Sequence, residues 1–159
     1  MQRRTLLQNT AALPLLALPL WVQAHHGWSS FDQDRPIWID GVASKVLWQN
    51  PHATLLLDRP ANPVLPADLA QRAVPAQSAP VDGKALLAKA VLPQRKDPRW
   101  EVELAPLTRL AAWKVAEIKP GAPVGILGFT FPAEKGEAVV RVEYLFVDGK
   151  VYGLRSSPA

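Results

Sequence analysis

Three histidines, the only ones in the chain, fall in two short segments: His25 and His26 in "AHHGWSSFD" and His52 in "WQNPHATLLL". If His25 is the first residue of a processed chain, its α-amine and its imidazole Nδ1 can close a chelate ring on one metal ion. An imidazole from elsewhere then adds a third nitrogen. Such a nitrogen-rich, planar set suits Cu(II), which tops the divalent affinity order and accepts tetragonal geometry. The reference pKa of an α-amine is near ~8, and copper can displace that proton at neutral pH. His52 is the expected partner ligand because a turn between strands carries it on a fixed element. His26, adjacent to His25, can join only through a different ring geometry, and Asp32 or Asp34 offers an oxygen. The competing structural reading is that paired histidines are polar residues of a terminus and that His52 orders a turn.

Everything in the copper reading hangs on one peptide bond. Residues 1–24 begin with Arg3 and Arg4, continue through the uncharged "AALPLLALPLWV", and end at Val22-Gln23-Ala24, a small-x-small cleavage pattern. The apolar run of 12 residues is short of the ~20 that a spanning helix needs, and Pro14 and Pro19 interrupt it, so no membrane span is expected after cleavage. Arg3-Arg4 followed by Leu6 and Leu7 resembles a twin-arginine signal. The expectation is a periplasmic or secreted protein cut after Ala24, and removing 24 of 159 residues leaves 135. The formal charge of +4 then falls to +2, because two of the basic residues leave and no acidic one does. Nucleic acid is therefore not an expected partner. With no cysteine, disulfides, thiolate metal sites and Cys nucleophiles are excluded.

The elements that must position these residues read as a single β domain over 25–159. "IWIDGVASKVLWQNPHATLLLD" alternates like a hairpin, with Val42, Ser44, Val46 and Trp48 expected on one face, a turn at Asn50-Pro51, and His52 at its tip or just inside the second strand. From Arg59 through Pro98 seven prolines and many alanines appear with little periodicity. This Pro/Ala-rich insertion at about 59–97 is expected to be a long or partly ordered loop with a short helix at "GKALLAKAVL". Trp100, Val102 and Leu104 alternate with Glu101 and Glu103 as in a half-buried strand. "PLTRLAAWKVAEIKPG" predicts a short helix ending at Pro120-Gly121. "APVGILGFTF" is a strand whose glycines suggest a bend or bulge, and "AVVRVEYLFVDGKVYGLR" is a hairpin around Asp148-Gly149. Three strands, a helix and two more strands is the element order of a small OB-like antiparallel barrel, with the helix between the third and fourth strands.

Other constellations carry less. Glu101 and Glu103 read as a solvated strand face, and Arg109, Lys114 and Lys119 as a solvated helix side. Ser29 and Ser30 lack an acid at a spacing that completes a nucleophilic arrangement. Trp28, Phe31, Trp38, Trp48 and Trp100 could stack bases or sugars, but a domain without disulfides needs most of them as core.

The segments "AHHGWSSFD", "WQNPHATLLL", "RWEVELAPLTRL" and "IKPGAPVGILGF" together resemble a family of small exported bacterial proteins of unknown function. That resemblance implies a periplasmic β domain and no established activity. The N-terminal chelate by itself is similar to the histidine brace of copper monooxygenases and to the first residue of small periplasmic copper carriers. The reading from sequence is a copper-binding or metal-handling protein, with His25, His52 and His26 as ligands. A ligand- or protein-interaction module with a periplasmic partner is the alternative from another class, and a copper oxidase or monooxygenase the third.

Overall fold

The computed structural model of the chain describes residues 27–159; His25, His26 and the expected signal segment lie outside them. Six strands form: β1 (Ile37–Leu47), β2 (Thr54–Asp58), β3 (Arg99–Glu103), β4 (Pro123–Phe129), β5 (Val139–Val147) and β6 (Lys150–Gly153). Their order is β3-β2-β1-β4-β5-β6, and a further pairing of β3 with β5 closes five of them into a barrel. Four of the barrel pairings are antiparallel, while the β3–β5 seam is parallel, so the barrel is mixed. The expected OB-like element order is present, with α2 (Leu107–Ala112) between β3 and β4. No helix among the described residues is long and apolar enough to cross a membrane.

Alternation explains the interior. Ile37, Ile39, Leu55, Leu57, Trp100, Val102, Ile126 and Val142 point inward and are sealed from solvent. β1 departs from the expected phase. Ala43 pairs with Leu57 and Lys45 with Leu56, which leaves Ser44 as the extra residue of a bulge. Because side chains alternate with period two, one extra residue flips the phase: Ala43 is buried and Val42 is 44% exposed, yet Val46 and Trp48 still reach the core. β4 and β5 shift register between Leu127 and Gly128, as its glycines suggested. β5 and β6 turn at Asp148 and Gly149, both with positive φ (51° and 70°), the conformation a tight hairpin demands. Helix α2 ends at Ala112, eight residues before Pro120, because Lys114 takes a left-handed φ of 54°.

The Pro/Ala-rich insertion is not a loose loop. It leaves and returns at one place, where the Arg59 amide donates to the Pro98 carbonyl at 2.8 Å, and it folds over the outer face of β1, β4 and β5. Asp82 caps α1 (Gly83–Lys89) by accepting from the Ala85 amide at 2.9 Å, a standard N-terminal satisfaction of an orphan donor. Leu69, Leu87 and Ala90 from the insertion and Trp38, Leu127 and Tyr144 from the barrel make a second apolar cluster. A Cβ at Gly83 would lie 2.5 Å from the Tyr144 hydroxyl, so the helix start packs as closely as it does only with glycine there. The sequence pattern missed this cover because its apolar residues are spaced to fit a curved barrel wall rather than a regular period.

Glu134, on the loop after β4, pins the return arm. Its carboxylate accepts from the Gln94 amide (2.9 Å) and the Arg95 amide (2.8 Å), and Arg35 completes an ion pair. Burial works to raise its pKa, but the two backbone bonds and Arg35 outweigh it and hold the group below its ordinary value. A depressed folded pKa contributes stability that is present above the unfolded pKa of about 4.3 and is lost as pH falls through the folded value. Glu134→Gln is therefore expected to lower stability at neutral pH by about 1–3 kcal/mol and to flatten the acid limb of stability against pH. Parallel acid limbs for parent and variant in urea titrations would exclude this role.

Candidate functional site

His52 lies just before β2, and its neighbours are set by the parallel seam. On β2 and the residues before it, Ala53, Leu55 and Leu57 point inward, which places His52 and Thr54 on the outer surface. Thr54 pairs with Glu103, and Glu103 pairs with Arg141 across the seam. Val140 and Val142 belong to the barrel interior, so Arg141 between them faces outward with Glu103. The result is a row of His52, Glu103 and Arg141 brought together from the turn before β2, from β3 and from β5. The turn holding His52 is anchored on both sides: the Asn50 side chain accepts from the Leu107 amide at 3.1 Å, at the start of α2, and the Ala53 amide donates to the Ala105 carbonyl at 2.9 Å.

Arg141 is the hub. One terminal nitrogen meets Glu103 at 3.3 Å and the other lies 3.4 Å from His52 Nε2. A guanidinium has no acceptor, so in this contact Nε2 accepts and its lone pair faces Arg141. Only 4% of Arg141 is exposed, and its Nε has no hydrogen-bond partner among the described residues. Burial pushes its pKa down, Glu103 opposes that, and the nearby Arg109 and Arg155 add to the depression. Beside this row, the fully buried Glu143 receives Arg155 Nε at 2.7 Å and the Gln77 amide at 2.8 Å. Gln77 in turn accepts from the Ser156 amide at 3.1 Å. Polar contacts thus lock insertion, β5 and the C-terminal arm together.

Trp28 closes the site. It sits in a one-turn 3-10 helix, Trp28–Ser30, with its carbonyl held by the Gln33 side chain at 3.1 Å. Its ring lies 4.1 Å from the Arg155 guanidinium and 5.1 Å from that of Arg141, and meets Phe129 edge-on at 6.3 Å. Charged groups over an aromatic face at these distances attract it. The first described residues therefore run over the surface that holds His52.

Of the expected ligands, His52 is half-buried beside Arg141, while His25 and His26 lie outside the described residues. Asp34 is exposed and Asp32 half-buried, and the Asp32 side chain accepts from the Asp34 amide at 3.2 Å. Among the described residues no group of three or more His, Cys, Asp or Glu is placed to hold a metal ion. The expected solvated face of Glu101 and Glu103 is only half right: Glu103 is 9% exposed and ion-paired. Arg109 is not a free helix side chain either, since it donates to the Leu154 carbonyl at 3.0 Å. Trp38 and Trp100 are core, as expected. The residues missed at the site are Arg141 and Glu143, and a signal for them existed. Two charged residues inside the otherwise apolar strand "VVRVEYLFV" must be paired if the strand is buried on both sides.

No curated protein and no solved structure matches the chain. Residues 14–64, a stretch that contains all three histidines and both strands of the first hairpin, match the model of a family of unknown function, DUF6152.

Proposed function

We propose that this chain is an exported copper-binding or metal-handling protein, with His25 as chelator through its α-amine and imidazole and with His52 and His26 as the remaining nitrogen donors. The observation that supports this reading is the position of Trp28. Its ring rests on the same Arg141 guanidinium that donates to His52 Nε2. His26 and His25 precede Trp28 by two and three residues, and three extended residues span at most about 11 Å. On this proposal both turn from there toward His52. The metal and Arg141 compete for one lone pair. Binding at Nε2 requires the guanidinium to withdraw toward Glu103, which makes Arg141 a regulator of affinity.

The decisive experiment titrates Cu(II) into protein beginning at His25 and into protein carrying one extra residue before it. The extension turns the α-amine into an amide and is expected to weaken binding by about a hundredfold, and His52→Ala by about tenfold. Equal affinities and spectra for the first two proteins would overturn the N-terminal chelate.

A further inference from the structure

On the side of the barrel away from His52, the insertion does not close completely over the wall. A groove of about 1020 Å³ remains between residues 58–73 and the outer surfaces of β1, β4 and β5. Its size falls at the upper end of small-molecule sites. Trp38 and Phe146 meet edge-to-face at 5.1 Å along it. Arg72 lies over both rings, at 5.3 and 5.7 Å, and is held there by Asp68 at 3.0 Å. Gly125 gives the floor its shape: a Cβ there would stand 2.7 Å from Trp38 Cη2. Pro60, Pro66 and Pro123 line it with rigid backbone.

Seven buried side-chain nitrogens and oxygens lack a hydrogen-bond partner among the described residues, and four belong to groove-lining residues: Trp38 Nε1, Asp40 Oδ1, and Arg59 Nε and Nη2. Trp38 is 2% exposed. Three of the four atoms are donors, and buried donors without partners are costly. Nε and Nη2 of one arginine form the edge that receives a carboxylate through two parallel hydrogen bonds. Burial lowers the pKa of Arg59, while Asp40, Glu134 and Asp97 oppose that through space. Asp40, Asp58 and Asp148 line the same groove, and their charge disfavours a dianion such as a phosphate monoester.

We propose that this groove binds a small apolar monocarboxylate, with its hydrocarbon or aryl body against Phe146 and the prolines that line the groove over the buried Trp38, and its carboxylate on the Nε/Nη2 edge of Arg59. That edge is shielded in the structure, and Arg59 is half-buried. Binding therefore requires a rotation of the long Arg59 side chain that turns this edge to the groove. The site is separate from the histidine cluster and stands or falls independently of copper.

The test uses octanoate and phenylacetate as probes, with octanol and phenylacetamide as neutral counterparts, followed by calorimetry and by the indole N–H resonance of Trp38. Both acids are expected to bind and to shift that resonance, while the neutral compounds bind about tenfold more weakly or worse. Arg59→Met is expected to remove the preference for acids and leave the neutral compounds unchanged. Arg59→Lys, which keeps the charge and loses the paired edge, is expected to fall between them and gives the comparison if the methionine variant does not fold. Acids and neutral compounds binding alike, an unmoved Trp38 resonance, no binding at millimolar concentration, or unchanged acid affinity in both Arg59 variants would each overturn the proposal.

Discussion

Deleting residues 60–97 and joining Arg59 to Pro98 through a short turn is expected to give a protein that does not hold its fold. The deletion is geometrically mild, since the Arg59 amide already bonds the Pro98 carbonyl and Asp58 pairs with Arg99. What it removes is the cover of the barrel wall. Trp38, Leu127 and Tyr144 are each at most 2% exposed because Leu69, Leu87 and Ala90 lie over them. Re-exposing three large side chains at about 1.5–3 kcal/mol each costs on the order of 5–9 kcal/mol. That is comparable with the whole net stability of a domain, about 5–15 kcal/mol. Glu143 also loses Gln77, and Glu134 loses the Gln94 and Arg95 amides. Thermal unfolding followed by circular dichroism, with dye binding to exposed apolar surface, measures the effect. A deletion variant melting within a few degrees of the parent would show that the barrel is stable uncovered.

Arg141→Met carries the second large effect, and it has two signs. The guanidinium is almost fully buried and ion-paired to Glu103, so removing it strips a buried carboxylate of that counter-charge. Breaking one side of such a pair costs about 3–5 kcal/mol, whereas replacing both partners with apolar groups is often close to neutral. Arg141→Met is therefore expected to be strongly destabilised in urea unfolding, and Arg141→Met combined with Glu103→Leu to recover most of the loss. Additive losses in the double variant would mean that the pair is not an energetic unit. Copper affinity is expected to move the other way. Without Arg141, His52 Nε2 loses that competing donor; the double variant removes one charge of each sign, so the lost competition alone is expected to tighten binding there by about fivefold. Unchanged or weaker copper binding there would separate His52 from any metal site.

Much of the barrel was legible in the chain because local patterns and the global fold agree. Trp100, Val102 and Leu104 alternate and are buried together, Asp148-Gly149 makes the last hairpin, and α2 follows the third strand. The failures are equally specific. Ser44 slips the phase of β1 through a bulge whose residue type gives no warning. Leu69 sits among prolines and alanines with no periodic pattern, and the expected short helix carries Leu87, but what the two cover is set by a wall built by other segments.

The candidate site divides along the same line. By itself, the sequence determined which side chains are available: three histidines in two segments and no cysteine, with the proposed cut before His25 as the source of its free amine. Only the tertiary structure decided that His52 shares a surface with Glu103 and with Arg141, 89 residues further along the chain, and that Trp28 lies over the same guanidinium. The reason is physical. Ligand type is a property of single residues and their spacing, whereas the barrel's parallel seam sets which side chains become neighbours, and a seam between β3 and β5 leaves no local trace in either strand.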